Sequence, residues 1–287
     1  MSLSARIEQA MERAVEYLAA ELNFNTIEAP THRTVMITGW NDSNMMRQAV
    51  AEYLVGLVAC AIDAALNIRA ELEDTPEDRI DILTDVYRIT GNDTHQLSLS
   101  QKQSERNPWI AEGIWHLCLA VANRRPGLHP MGSVIALDYA HVAAKDHGLD
   151  VAAIYETDQG FGLTLIESKA YKSDPNGAIT QAVGFFREVD AGRHAMRIRQ
   201  AVQIMRTALP SDKQDRITNS FWQRIRSYVP NPHYDSTQEI DWSNARPSFS
   251  NLQPSREHIV IMPHAISDFD GFFDNIANEM RAFVGSL

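Results

Sequence analysis

The sequence of 287 residues has two cysteines, Cys60 and Cys118, five lysines against 21 arginines, and no long uninterrupted apolar run. Two cysteines without a C-x-x-C partner exclude a zinc knuckle or a disulfide framework and fit a reducing, cytoplasmic setting. The longest apolar candidate, Tyr53 to Leu66, is interrupted and falls short of the roughly 18 residues a membrane span needs. The N-terminus passes straight into an amphipathic pattern, so no signal peptide is expected. Walker A, G-x-G-x-x-G, G-x-S-x-G and H-E-x-x-H motifs are all missing, which removes the common nucleotide, dinucleotide, hydrolase and zinc-peptidase readings. His129, His141, His147, His194, His258 and His264 show no ligand spacing and read as structural or exposed.

What is present is an ordinary globular composition, 44% apolar, with charge distributed unevenly. Residues 1–100 carry seven arginines, no lysine and sixteen acids, a balance of −9 within an overall −11. Residues 160–228 carry eleven lysines and arginines against six acids, a balance of +5. A polyanion is repelled by the first segment and attracted by the second.

Apolar spacing predicts a helix from Ser4 to Leu22, a short strand at 34–37 and a long helix from about Asp42 to Leu72. The polar run 91–106 is the expected boundary between an acidic, mainly helical region (1–100) and a second domain (101–287). Beyond it the spacing predicts a buried helix over 107–123, strands at 133–139, 149–155 and 161–169, and a helix opening at Pro175. The turn Thr157-Asp158-Gln159-Gly160 marks a hairpin. An arginine-rich helical insertion to Val229, a loop from Pro230 to Pro254, a last strand at 259–262 and a helix over 269–284 complete an α/β order.

Within that order Asp150 and Glu167-Ser168-Lys169 stand out. Residues two apart on a strand point to one face, so Glu167 and Lys169 are neighbours, and hairpin pairing brings Asp150 beside them. An acid and a lysine on an otherwise apolar strand are costly unless paired or bound to a metal. Two carboxylates suit a hard cation such as Mg²⁺, which polarises a phosphoryl group while a nearby ammonium balances the developing charge. Glu112, the only acid of the buried helix, is a further candidate for catalysis and metal binding. Lys172, Gln181, Arg197 and Arg199 are candidate substrate contacts.

The α-β-β-β-α-β order with Glu112, Asp150 and Glu167-x-Lys169 resembles the PD-(D/E)XK nuclease superfamily over about residues 105–190 and 258–263. The resemblance implies a restriction-endonuclease-like core in which Asp150 and Glu167 bind Mg²⁺, with Mn²⁺ as a substitute. It further implies that Lys169 positions the nucleophile and Glu112 assists. Leu149 stands where the family has a proline. The run Glu-Ser-Lys-Ala-Tyr-Lys is also similar to the nuclease subunit of Hachiman antiphage-defence systems, which implies a helicase partner and a bacterial defence role. Two classes of function follow: a Mg²⁺-dependent endonuclease acting on nucleic acid, DNA first, or a non-catalytic nucleic-acid-binding or protein-interaction subunit on the same fold.

Overall fold

The computed structural model describes residues 1–59, 72, 74–125, 127–139, 149–218 and 220–287. Helix α1 (Leu3–Glu21) starts where the Ser2 hydroxyl accepts from Ala5 N and buries Ile7, Met11, Val15 and Leu18 on one face. Strands β1 (Asn23–Glu28) and β2 (Arg33–Thr38) form an antiparallel pair. Helix α2 (Asn44–Val58) follows; residues 60–71 of the continuation expected to Leu72, Cys60 among them, lie outside the described residues. Helix α3 (Pro76–Thr90) is fixed by a Thr75–Asp78 capping box. A single turn, α4 (Leu99–Gln101), and a π-helical turn at Lys102–Arg106 lead into α5 (Asn107–Ala122).

Fourteen of the sixteen α5 residues are buried, so this helix is walled on all sides. One wall is α2, at a distance set by glycine: a Cβ on Gly113 would stand 2.2 Å from Leu54 Cδ2. The α1–α2 contact is equally close, with Met11 Sδ 2.2 Å from a Cβ built on Gly56. Across the boundary expected near residue 100, the buried side chains of α1, α2, α3, α5 and the C-terminal helix belong to one apolar cluster.

The opposite wall of α5 is a five-stranded sheet, ordered β3-β4-β5-β6-β8. Strands β3 (Ser133–Leu137), β4 (Val151–Thr157) and β5 (Gly160–Ala170) are antiparallel, and the 157–160 turn closes the expected hairpin with Thr157 opposite Gly160. Residues 140–148, which include His141, His147 and Gly148, are outside the described set. Helix α6 (Pro175–Asp190), helix α7 (Ala195–Thr207) and a single turn, α8 (Ser211–Gln214), follow. Side chains of β4 and β5 alternate between two apolar clusters: Val151 and Ile166 join the α5 side, Leu163 and Leu165 the α6 side.

The order departs from expectation after α8. Residues 226–235, read from sequence as helix end and loop, form β6 (Arg226–Asp235), a buried strand parallel to β5. Two prolines in a central strand are unusual because each removes a ladder donor. Alternation of the backbone resolves this. The carbonyls of Ile225 and His233 accept from Leu163 and Tyr171 on the β5 side, whereas Pro230 O accepts from Met262 N on the other. Pro230 and Pro232 therefore turn their donorless edge away from β5, toward the break between β7 (Val260–Ile261) and β8 (His264–Ile266). The strand expected at 259–262 shrinks to β7, which pairs with β2 in a separate three-stranded sheet, β1-β2-β7. Helix α9 (Phe269–Ser286) ends the chain. Among the described residues no helix is long and apolar enough to cross a membrane.

Candidate active site

Asp150 immediately precedes β4, and the Val151–Ile166 pairing sets it opposite Glu167. Asp150, Glu167 and Lys169 share strand parity with Leu163 and Leu165, so all three belong to the α6 side of the sheet. The Lys169 ammonium lies 2.6 Å from Glu167 Oε1 and 3.2 Å from Asp150 Oδ2, and so bridges the two carboxylates. Asp150 Oδ2 also accepts from the Ser168 backbone N–H at 2.9 Å, which locks the strand edge to the residue before β4. Three of the four residues expected to form the site are brought together.

The cluster is largely shielded from solvent. Glu167 is 7% exposed, and its second oxygen, Oε2, has no hydrogen-bond partner among the described residues. Burial, with the Asp150 carboxylate adding to it, pushes the Glu167 carboxyl up to about 8 against the pull of Lys169. Burial works against the Lys169 ammonium, but Asp150 and Glu167 outweigh it and hold the lysine above its ordinary range. A buried carboxylate oxygen without a donor, between two acids held by one cation, is a place that favours a further positive ion.

The fit to a hard divalent ion rests on two carboxylates, Asp150 and Glu167, drawn together by Lys169. Among the described residues there is no group of three or more His, Cys, Asp or Glu side chains placed to hold a metal. Glu112, expected as a third ligand, is half-buried on α5, which packs on the other side of the sheet from Asp150 and Glu167. It reaches Glu167 as a field, raising that carboxyl less than Asp150 does.

The outer candidates divide. The Tyr171 hydroxyl donates to Gln181 Oε1 at 2.6 Å, which sets Gln181 on α6 beside the strand that carries the site. Lys172 is exposed and paired with Asp270 on α9 at 2.6 Å. Arg197 and Arg199 project from the exposed face of α7, and no hydrogen bond or ion pair links them to the cluster. Much of the basic segment is committed elsewhere. Arg206 donates to Gln214 O at 2.7 Å, Arg187 to Ser248 O at 3.1 Å, and Arg193 pairs with Glu188 at 2.9 Å. Arg226 is buried against Asp190 at 2.6 Å. Arg197, Arg199, Arg216 and Arg224 remain as exposed cations, Arg216 lying over the Phe161 ring.

One support was not visible in the sequence. Ser168 points to the α5 side, where its hydroxyl donates to Asn231 Oδ1 at 2.9 Å. The Asn231 amide in turn donates to the Met262 carbonyl. Trp115 Nε1 of α5 donates to His233 Nε2 at 2.9 Å, and burial together with neighbouring His264 keeps His233 neutral. This polar layer anchors the middle residue of Glu167-Ser168-Lys169 from below. Only Tyr228-Val229, a short pair of strand formers, hinted that 226–235 is a strand at all.

The Glu167 environment predicts a pH effect whose sign can be worked out. Between an ordinary carboxyl range near 4.5 and about 8, the folded chain keeps a proton that the unfolded chain has released. Stability present at low pH is therefore lost as pH rises through that window. In chelated buffer the thermal midpoint of Glu167→Gln, which cannot ionise, is expected to exceed that of the wild type increasingly from pH 5 to 8, by on the order of 5 °C at the upper end. Parallel midpoint curves for the two proteins would show that Glu167 ionises normally.

Compared with known proteins, the sequence matches no protein-family model and no curated protein.

Proposed function

We propose that this chain is a Mg²⁺-dependent nuclease of the PD-(D/E)XK type, hydrolysing phosphodiester bonds in nucleic acid, with DNA as the first substrate to test. The observation that carries the reading is the Asp150–Lys169–Glu167 triangle with its unsatisfied buried oxygen. A structural ion cluster would hold the same three charges, but the donorless Glu167 Oε2 leaves an acceptor free for a further cation. The order α5-β3-β4-β5-α6 followed by a parallel β6 supports a restriction-endonuclease-like core, with β6 taking the place assigned from sequence to residues 259–262.

In this reading Asp150 and Glu167 would hold the ion through carboxylate oxygens. When bound, it supplies Lewis acidity at a phosphoryl oxygen and lowers the pKa of its water. Glu167 must lose its proton to serve as a ligand, and a second positive charge makes that loss easier. Lys169, released from bridging both acids, is left one strand position from Ser168 to balance charge developing on the phosphate. Ser168, tied to Asp150 through its amide and to Asn231 through its hydroxyl, holds the two flanking side chains in register. Gln181 and Lys172 would touch substrate backbone at the rim, and Arg197 and Arg199 would extend the contact. The Glu-Ser-Lys-Ala-Tyr-Lys run supports placing the activity in bacterial antiphage defence beside a helicase partner.

The test is cleavage of single-stranded, duplex and plasmid DNA and of RNA, with Mg²⁺, Mn²⁺ or Ca²⁺. Mg²⁺ and Mn²⁺ are expected to support hydrolysis, and Ca²⁺ to bind with little turnover because its looser geometry aligns water poorly. No hydrolysis of any substrate with either ion would remove the enzymatic reading and favour the non-catalytic subunit.

Lys169 gives a sharper check on mechanism. Lys169→Ala is expected to lower turnover by roughly a hundredfold with substrate affinity kept, since its charge matters most as negative charge develops. Lys169→Arg is expected to recover little, because a planar fork does not replace a compact ammonium held between two carboxylates. Normal turnover at saturation with weakened binding would reassign Lys169 to phosphate anchoring.

A further inference from the structure

Away from the Asp150–Glu167–Lys169 cluster, a cavity of about 250 Å³ opens between the end of α3, the π-helical turn before α5, and α9. Its wall includes Lys102, Arg106 and Arg281 in a chain whose net charge is −11. We propose that this cavity binds a small phosphorylated anion of about pyrophosphate size. The inference stands independently of the nuclease reading.

The argument is an accounting of hydrogen-bonding capacity. Asp274 is one carboxylate serving two cations, with Lys102 at 3.0 Å and Arg106 at 2.5 Å. Arg106 is 3% exposed, and burial lowers its pKa despite that shared partner, so its charge is incompletely compensated. It commits three of its five N–H bonds, two to Asn107 Oδ1 and one to Asp274, and lines the cavity with two left. Arg281 pairs with no carboxylate among the described residues; it donates to the Thr90 carbonyl at 2.9 Å and to the Asn278 amide oxygen.

Two amides of the wall, Asn92 and Asn278, are committed through their oxygens. Asn92 Oδ1 accepts from Thr94 N at 3.0 Å, from Thr94 Oγ1 at 2.9 Å and from His95 N at 2.7 Å, and Asn278 Oδ1 accepts from Arg281. Their NH₂ groups are the unspent ends. Asp93, exposed at the rim, is the one acid besides Asp274. The wall therefore offers donors and positive charge. Such a lining matches a ligand made almost entirely of acceptors, and phosphate oxygens take several N–H donors at once in charge-assisted bonds. The cavity is also smaller and more polar than those that take drug-sized apolar ligands.

The cavity lies apart from the Asp150–Glu167–Lys169 cluster, none of whose residues lines it. Asp274 lies one turn along α9 from Asp270, which pairs with Lys172, and Arg106 is the residue that leads into α5. A ligand drawing on Lys102 and Arg106 would compete for Asp274.

Titration calorimetry of the full chain in metal-free buffer of fixed ionic strength tests the proposal, with pyrophosphate as the probe and chloride as the comparator. Saturable one-to-one binding of pyrophosphate, tighter than about 1 mM, is expected. The Lys102→Gln/Arg281→Gln double variant is expected to weaken it at least tenfold while its circular dichroism matches the wild type. Lys169→Gln is expected to leave the affinity unchanged. Binding absent at about 10 mM, binding that survives the double variant, or binding lost in Lys169→Gln would each overturn the assignment. So would a duplex oligonucleotide that displaces pyrophosphate, since the cavity would then be a contact for nucleic-acid backbone.

Discussion

Asp150→Asn and Glu167→Gln are each expected to lower Mg²⁺-dependent cleavage by at least about a thousandfold while leaving the fold intact. A thousandfold is about 4 kcal/mol of transition-state stabilisation, the scale on which a bound ion and its activated water act. The two substitutions are chosen because the structure allows each to be absorbed. An asparagine at 150 keeps an oxygen for the Ser168 N–H that Asp150 now accepts at 2.9 Å. A glutamine at 167 removes a carboxyl whose ionisation is disfavoured by burial and by Asp150, so stability is expected to hold or rise.

The double variant separates this reading from a purely structural cluster. With both acids neutral, the ammonium of Lys169, whose side chain is 19% exposed, loses both charged partners. The loss of stability should then exceed the sum of the single losses, because an uncompensated buried charge is costlier than either missing contact. Equilibrium unfolding of the four proteins measures this coupling, and cleavage assays on the same samples measure chemistry. Single variants that fold normally and still cut at the wild-type rate would remove Asp150 and Glu167 from the chemistry.

How much of this was legible in the sequence depends on which physical signal each element leaves. Glu167 and Lys169 could be read because the side-chain period of a strand is two and the 157–160 turn fixes the register of the hairpin. The buried helix at 107–122 could be read because nearly every position is apolar. Strand β6 was hidden by its composition. Pro230 and Pro232 signal a loop unless the neighbouring edge is broken, and that edge is made by residues some thirty positions later. Arg226 counts toward the basic balance of 160–228, but it is buried against Asp190, which also receives the Tyr228 hydroxyl at 2.5 Å. Asn231 left no local trace, since its role exists only where β6 lies beside β5. Glu112 shows the converse. Its solitary charge on an apolar helix is legible, and its field reaches Glu167, but helix periodicity does not say which side of the sheet the helix will cover.

Removing residues 1–100 is expected to abolish folding of the remainder, in contrast to what a charge boundary near residue 100 suggests. The reason is where the apolar contacts run. Leu54 and Leu57 of α2 lie against the backbone of α5 at Gly113, and Tyr53 meets His116 of α5 with its hydroxyl 2.9 Å from Nδ1. Ile7, Met11, Val15 and Leu18 of α1 join the same cluster as Phe273, Ile276 and Met280 of α9. Polar ties cross as well, with Arg6 donating to the Leu287 carbonyl at 2.6 Å and Arg124 pairing with Glu12 at 2.5 Å. A chain starting at residue 101 would expose the α5 and α9 surfaces that these helices cover. Each large side chain returned to water costs about 1.5–3 kcal/mol, and a whole domain is stable by only about 5–15 kcal/mol. The 101–287 fragment should therefore be insoluble, or show no cooperative thermal transition, under conditions where full-length Asp150→Asn is soluble and folded. A fragment that melts cooperatively and cleaves nucleic acid would mean that the acidic helices form an independent module. Otherwise they are part of the scaffold that sets α5 against the sheet.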